Sequence, residues 1–170
     1  MGQDWITGEY TRDYDRHDVM QVCTNGHKIT DQAASEPHVR EDFCSRCGAP
    51  TLDACPKCGS HIRGRRQRSD WTYGPAAVPS YCGKCGDAYP WRAQAIEALK
   101  AILSEGGLSA SDLATAEAAL PDIVRETPRT ELASMQFGKI LKSLSKPAYD
   151  IIVKVVSDIA TEAAKKVIGL

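Results

Sequence analysis

The stretch FCSRCGAPTLDACPKCG, residues 43–59, holds two Cys-x-x-Cys-Gly units in tandem, and a third, CGKCG, follows at 82–86. A tight turn at each unit aims two sulfurs at one point, and glycine after the second cysteine allows the positive φ such a turn needs. Upstream, CTNGH at 23–27 sets a cysteine and a histidine around an Asn-Gly turn. Cys23, His27, Cys44, Cys47, Cys55, Cys58, Cys82 and Cys85 together make eight ligands. Structural zinc takes four in a tetrahedron, so the set divides without remainder into one site of three cysteines and a histidine and one of four cysteines. The sequence predicts two Zn2+ ions per chain.

Which pairs share an ion stays open at this level. Consecutive pairing joins Cys23, His27, Cys44 and Cys47, then Cys55, Cys58, Cys82 and Cys85, as two zinc ribbons in tandem with β-hairpins expected over 28–43 and 59–81. Interleaved pairing gives the cross-brace of a RING-like ligase component, although the gap from Cys47 to Cys55 is long for that arrangement. Both pairings close each site with four protein ligands, which leaves no position for a reacting water and argues against zinc catalysis. A thioredoxin-like use of the Cys-x-x-Cys units would need an alternating β–α pattern around one of them, and none is present. His17, His38 and His61 read as exposed surface imidazoles. No nucleophile motif or phosphate-binding glycine loop occurs, so the expectation is a protein that is not an enzyme.

All seven cysteines lie between positions 23 and 85, and none follows Trp91. That boundary predicts an α+β protein with an N-terminal arm or strand over 1–18, a ribbon module of short antiparallel hairpins over 19–91 and a helical region over 92–170. Trp5, Tyr10 and Tyr14 belong to the arm. With 42% hydrophobic residues, 25% charged residues and a net charge of -1, the chain reads as globular and not as disordered or broadly basic. The start MGQDWITGEY has neither a basic region nor an apolar run, and Ile6 stands where a myristoylation signal wants Ser or Thr, so the expectation is a cytoplasmic protein with no membrane span.

About four helices are expected after the last knuckle. Pro90 opens the first, which runs to about 105 and exits at Gly106-Gly107. Ser109 or Ser111 caps the second, which Pro121 ends or bends. Thr127 and Pro128 open the third, with Leu132, Met135, Ile140, Leu141 and Leu144 as its apolar residues. Apolar pairs at 151/152, 155/156, 159/160, 163/164 and 167/168 predict a last amphipathic helix of about twenty residues. Its broad apolar face packs on the preceding helices and offers a surface for a protein partner or for homo-oligomer formation.

In order along the chain, CTNGHKI, FCSRCGAPT, CPKCGSHIRG and YCGKCGDAYPW resemble an uncharacterised family of bacterial zinc-ribbon proteins, and the single knuckles resemble double zinc ribbons generally. The resemblance covers about residues 21–91 and implies a bacterial source and zinc binding. The residues support a non-enzymatic adaptor with two structural zincs and a helical partner-binding or self-association region. A second reading rests on Arg63, Arg65, Arg66, Arg68 and Trp71, whose cations and aromatic ring suit phosphate contact and base stacking in a nucleic-acid-binding ribbon. Against it, residues 1–91 hold one more acid than base.

Overall fold

The computed structural model describes residues 16–68, 71–72 and 74–170, and for Arg16, Gln67, Arg68, Trp71 and Thr72 it describes the backbone alone. Trp5, Tyr10, Tyr14 and the rest of the expected arm before residue 16 lie outside the described residues. Short antiparallel strands precede five α-helices, which makes the fold α+β. The chain divides into two compact units, one ending at Trp91 and one formed by Arg92–Leu170.

The first unit contains two three-stranded sheets. In one, β1 (Arg16–Val19) and β6 (Trp71–Thr72) flank β5 (Arg63–Arg68), with His17 opposite Arg66 and Arg68 opposite Trp71. In the other, β3 (Lys28–Thr30) and β4 (Thr51–Leu52) flank β2 (Gln21–Cys23), with Val22 opposite both Lys28 and Leu52. The hairpin expected over 28–43 is absent: only β3 forms there, and a 3-10 turn at Pro37–Val39 follows, because the second partner of β2 comes from beyond Cys47. The core is small. Met20, Val22, Ile62 and Tyr89 are buried with Cys55 and Cys82, and Leu52, Val78 and Trp91 pack around them.

Two buried carboxylates replace apolar mass in this unit. Asp31 accepts the Ala76 amide at 2.7 Å and the Arg65 guanidinium at 3.0 Å, and Asp18 accepts the amides of Val19 and Ala34 at 2.6 and 2.9 Å. Burial raises the pKa of both, but for Asp18 the Ser35 hydroxyl and nearby amides, and for Asp31 the Ala76 amide with Arg65 and Lys28, outweigh it and hold each below the usual carboxylate value. Gly64 makes this possible, because a Cβ there would stand 2.3 Å from the Asp31 carbonyl oxygen and 2.9 Å from that of Asp18.

The helical unit follows with α1 (Pro90–Glu105), α2 (Ala110–Val124), α3 (Thr130–Leu141), α4 (Lys146–Ile159) and α5 (Glu162–Ile168), α1 beginning two residues before the division. Ser109 caps α2 by accepting the Asp112 amide at 3.1 Å. Pro121 does not end α2, which continues to Val124 with the proline exposed. Ala133, Phe137, Ile140 and Leu141 form the buried side of α3, whereas Leu132 and Met135 are 55% and 56% exposed and lie off it. The expected twenty-residue helix is two helices. Thr161 caps α5 by accepting the Ala164 amide, and its own amide bonds the Ile123 carbonyl at 3.1 Å. Buried Arg92 donates to the carbonyls of Val124, at the end of α2, and Ile159, at the end of α4. One guanidinium thus satisfies two helix C-termini, where the helix dipole favours a cation, and the chain breaks after Ile159 to meet it.

Candidate metal centres

Three of the four ligand turns repeat one backbone pattern. The amide of the first cysteine bonds the carbonyl five residues on, Cys44 to Ala49, Cys55 to Ser60 and Cys82 to Asp87, at 2.8–2.9 Å. The glycine amide bonds back to the first cysteine's carbonyl from Gly48, Gly59 and Gly86, whose φ values of 69°, 70° and 73° bar a side chain without strain. A single antiparallel bridge closes each knuckle, Phe43 with Pro50, Ala54 with His61 and Tyr81 with Ala88. CTNGH turns differently: the Cys23 amide bonds the His27 carbonyl, and the His27 amide points at the Cys23 sulfur at 3.3 Å.

Sheet pairing brings the knuckles together in consecutive pairs. Cys23 on β2 lies opposite Thr51 on β4, which places CTNGH against the Cys44–Cys47 knuckle. Gln21, which the sequence gives no reason to single out, locks this pairing. Its amide nitrogen donates to the Glu41 carbonyl and the Thr51 hydroxyl at 2.9 Å, and its oxygen accepts the Glu41 amide at 3.0 Å. The result is a cluster of Cys23, His27, Cys44 and Cys47 and a second of Cys55, Cys58, Cys82 and Cys85, with the ligand atoms in each within 4.8 Å of one another. The first and third pairs share no cluster, so the arrangement is not the cross-brace of a RING-like ligase.

The spacings within the clusters test whether an ion fits. Thiolates at about 2.3 Å from a tetrahedral ion stand about 3.8 Å apart, and an imidazole nitrogen at about 2.05 Å stands about 3.6 Å from each sulfur. Cys23 and Cys47 sulfurs are 3.8 Å apart, Cys55 and Cys85 3.8 Å, and Cys58 and Cys82 3.7 Å. His27 faces its cluster through Nδ1, 3.3 Å from the Cys47 sulfur and 3.7 Å from that of Cys44. The three sulfur pairs match tetrahedral edges and are far longer than a disulfide bond, the His27 nitrogen lies within about 0.3 Å of its expected edges, and all seven cysteines are free. Both clusters could hold a metal ion.

Donors around the sulfurs favour the thiolate form that binds metal. Ser60 places its hydroxyl 3.2 Å from the Cys58 sulfur and 3.3 Å from that of Cys82, and with the amides of Cys85 and Lys84 it lowers the Cys82 pKa to about 5. The Ala49 amide, with the His27 and Asn25 side chains, lowers Cys47 to about 6. Cys85 moves to about 12: the Asp87 amide favours its thiolate, but desolvation and three neighbouring sulfurs outweigh it. Four adjacent thiolates cannot all carry charge without a cation among them.

Trp91 ties the two clusters' surroundings together. It stacks on Tyr89 with centroids 4.8 Å apart, donates to the Pro79 carbonyl at 3.0 Å, and lies so close to the CTNGH turn that a Cβ on Gly26 would stand 3.0 Å from its own Cβ. The basic run is less unified than it reads in sequence. Arg65 is committed to Asp31, Arg63 and Arg66 are exposed, and the side chains of Arg68 and Trp71 lie outside the described residues. His61 and His17 are exposed as well, the latter with its ring 3.3 Å from the Gly64 carbonyl.

Fold and clusters define a protein with two four-ligand sites that could hold metal ions, built on tandem knuckles and followed by a helical unit. The chain belongs to the bacterial family described as "Uncharacterized protein conserved in bacteria (DUF2321)", whose model matches residues 16–168. The match takes in the helical unit, well past the knuckles that carry the resemblance in sequence. Comparison with curated proteins and with solved structures gives no match. Among the described residues, no helix is long and apolar enough to cross a membrane.

Proposed function

We propose that each cluster holds one zinc ion in a structural role and that the protein is a non-enzymatic interaction module. The observation that carries this reading is closure: each cluster supplies four ligand side chains, which complete a tetrahedral shell and leave no position where a water could be activated. Zinc suits the ligand chemistry, because thiolate with imidazole in tetrahedral arrangement is its usual structural set. One ion would fix β2 to the Cys44–Cys47 knuckle and the other would fix the Cys55–Cys58 and Cys82–Cys85 knuckles to each other, and so present a rigid surface to a protein partner. The nucleic-acid reading has weaker support, since Arg65 is held by a buried carboxylate and is not available to a phosphate.

Native mass spectrometry combined with cobalt substitution tests the proposal. Two zincs per chain are expected, and the cobalt form should show tetrahedral thiolate spectra that added cyanide leaves unchanged. Fewer than two ions, or a cobalt spectrum that cyanide shifts, would mean an open site and overturn the structural role.

A further inference from the structure

Beside the second cluster lies a cavity of about 340 Å3 lined by Ser60, His61, Arg63, Tyr81, Lys84 and Tyr89, with Pro79 and Gly83 completing its wall. Its lining holds two cations and an imidazole and no carboxylate. Elsewhere in this unit Lys28, Arg40, Lys57 and Arg65 are each paired with an aspartate. Among the described residues, the side chains of Arg63, Lys84 and His61 have no hydrogen bond or ion pair, and all three are exposed. Ser60 lines the cavity and places its hydroxyl against the Cys58 and Cys82 sulfurs, so the cavity meets the cluster through a hydroxyl group and not through bare sulfur.

We propose that this cavity binds a small phosphate monoester. A phosphate carries a charge near −2 and three strong acceptor oxygens, which two cations and an imidazole match, whereas a carboxylate would leave one cation unanswered. The cavity is at the small end of the range for small-molecule sites, and Tyr81, Tyr89 and Pro79 give it an apolar wall for the group the phosphate carries. Gly83 keeps it open: a Cβ there would lie 3.7 Å from the Arg63 guanidinium carbon, an ordinary contact that the fold tolerates, while a larger side chain would fill the space in front of it. This site goes beyond the interaction-module reading and depends only on the folded second knuckle pair.

The test is an amide NMR titration of the metal-loaded full chain with 5′-AMP, inorganic phosphate and adenosine. Saturable shifts at His61, Arg63, Gly83 and Lys84 are expected with the first two probes and none with adenosine. Arg63→Ser and Gly83→Val should each weaken 5′-AMP binding by roughly tenfold or more, as loss of one charge-assisted contact or of its space would. Arg40→Ser, an equal charge change elsewhere, should not. Native mass spectrometry of each variant confirms that both metals stay bound, which separates loss of the pocket from loss of the fold. Absence of saturable shifts, an equal response to adenosine, or full binding by both pocket variants overturns the proposal. So does a short single-stranded oligonucleotide that binds where 5′-AMP does not, since it would make the surface a nucleic-acid site.

Discussion

Removing metal should unfold the first unit and spare the second. Apart from cysteine, the large side chains at the centre of the ribbon core are Met20, Val22, Ile62 and Tyr89. At about 1.5–3 kcal/mol each, their burial contributes roughly 6–12 kcal/mol, while a structural zinc contributes about 10–16 kcal/mol of folding free energy per site. Two ions therefore outweigh the apolar core, and without them four thiolates per cluster repel or must protonate. The helical unit has its own core, running from Leu99 and Leu103 through Phe137 and Leu141 to Val156 and Ala164, and owes nothing to the clusters. In a variant with Trp5 and Trp71 replaced by Phe, Trp91 fluorescence reports the ribbon and far-ultraviolet circular dichroism reports the helices. Titration with a strong chelator should release two ions, abolish the Trp91 environment and leave most of the helical signal. Retention of dispersed ribbon resonances after complete metal loss would refute the reasoning, because the small core would then suffice alone.

Three further perturbations address groups that only the fold reveals. Arg92→Met leaves two buried helix-terminal carbonyls without their donor, at about 3 kcal/mol in all, so the melting midpoint of the helical unit should fall by roughly 12–24 °C, with Arg92→Lys recovering part. Gly64→Ala drives a methyl into the Asp31 carbonyl and should cost at least the upper end of about 1–3 kcal/mol in denaturant titrations, whereas Gly83→Ala, with only ordinary contacts, should be near neutral. For Asp31→Asn the sign follows from a folded pKa below the ordinary one. The stabilisation is present in full above the unfolded-state value of about 3.9 and is lost as pH falls through the folded value. The stability gap between wild type and variant should thus keep its full width from neutrality down to about pH 5 and narrow progressively as pH falls further, through the folded pKa; a gap that widens in acid would contradict it.

What the sequence makes legible is whatever a few consecutive residues decide. Each Cys-x-x-Cys-Gly unit states its own turn, and the positive φ of Gly48, Gly59 and Gly86 follows from that local chemistry. The pairing of the units was open, because it depends on β2 meeting β4 across some thirty positions and on Gln21 reaching Glu41 and Thr51. The same limit hid the break between α4 and α5. Thr161 followed by Glu162 is an ordinary start signal inside a continuous apolar repeat, and its weight comes only from Arg92 and Ile123, far earlier in the chain. Pro121 misled in the opposite direction, since an exposed proline late in α2 left the helix unbroken.

The basic run 63–68 carries the lesson into function. In sequence its four arginines look like one patch, yet a strand gives neighbouring residues different surroundings, and here it divides them by task. Gly64 lets β5 press against the Asp31 backbone, and Arg65 pairs with that residue's carboxylate from a half-buried position. Arg63, one residue before Gly64, is left exposed at the cavity beside the second cluster, with no ion pair among the described residues. A charge scan that replaced all four arginines together would therefore confuse unfolding with loss of binding. Single replacements should separate them: Arg65→Ser lowers stability and leaves a bound phosphate monoester's affinity per folded molecule intact, and Arg63→Ser does the reverse. If both variants changed stability alone, the cation at 63 would serve only to offset the sulfur cluster's charge.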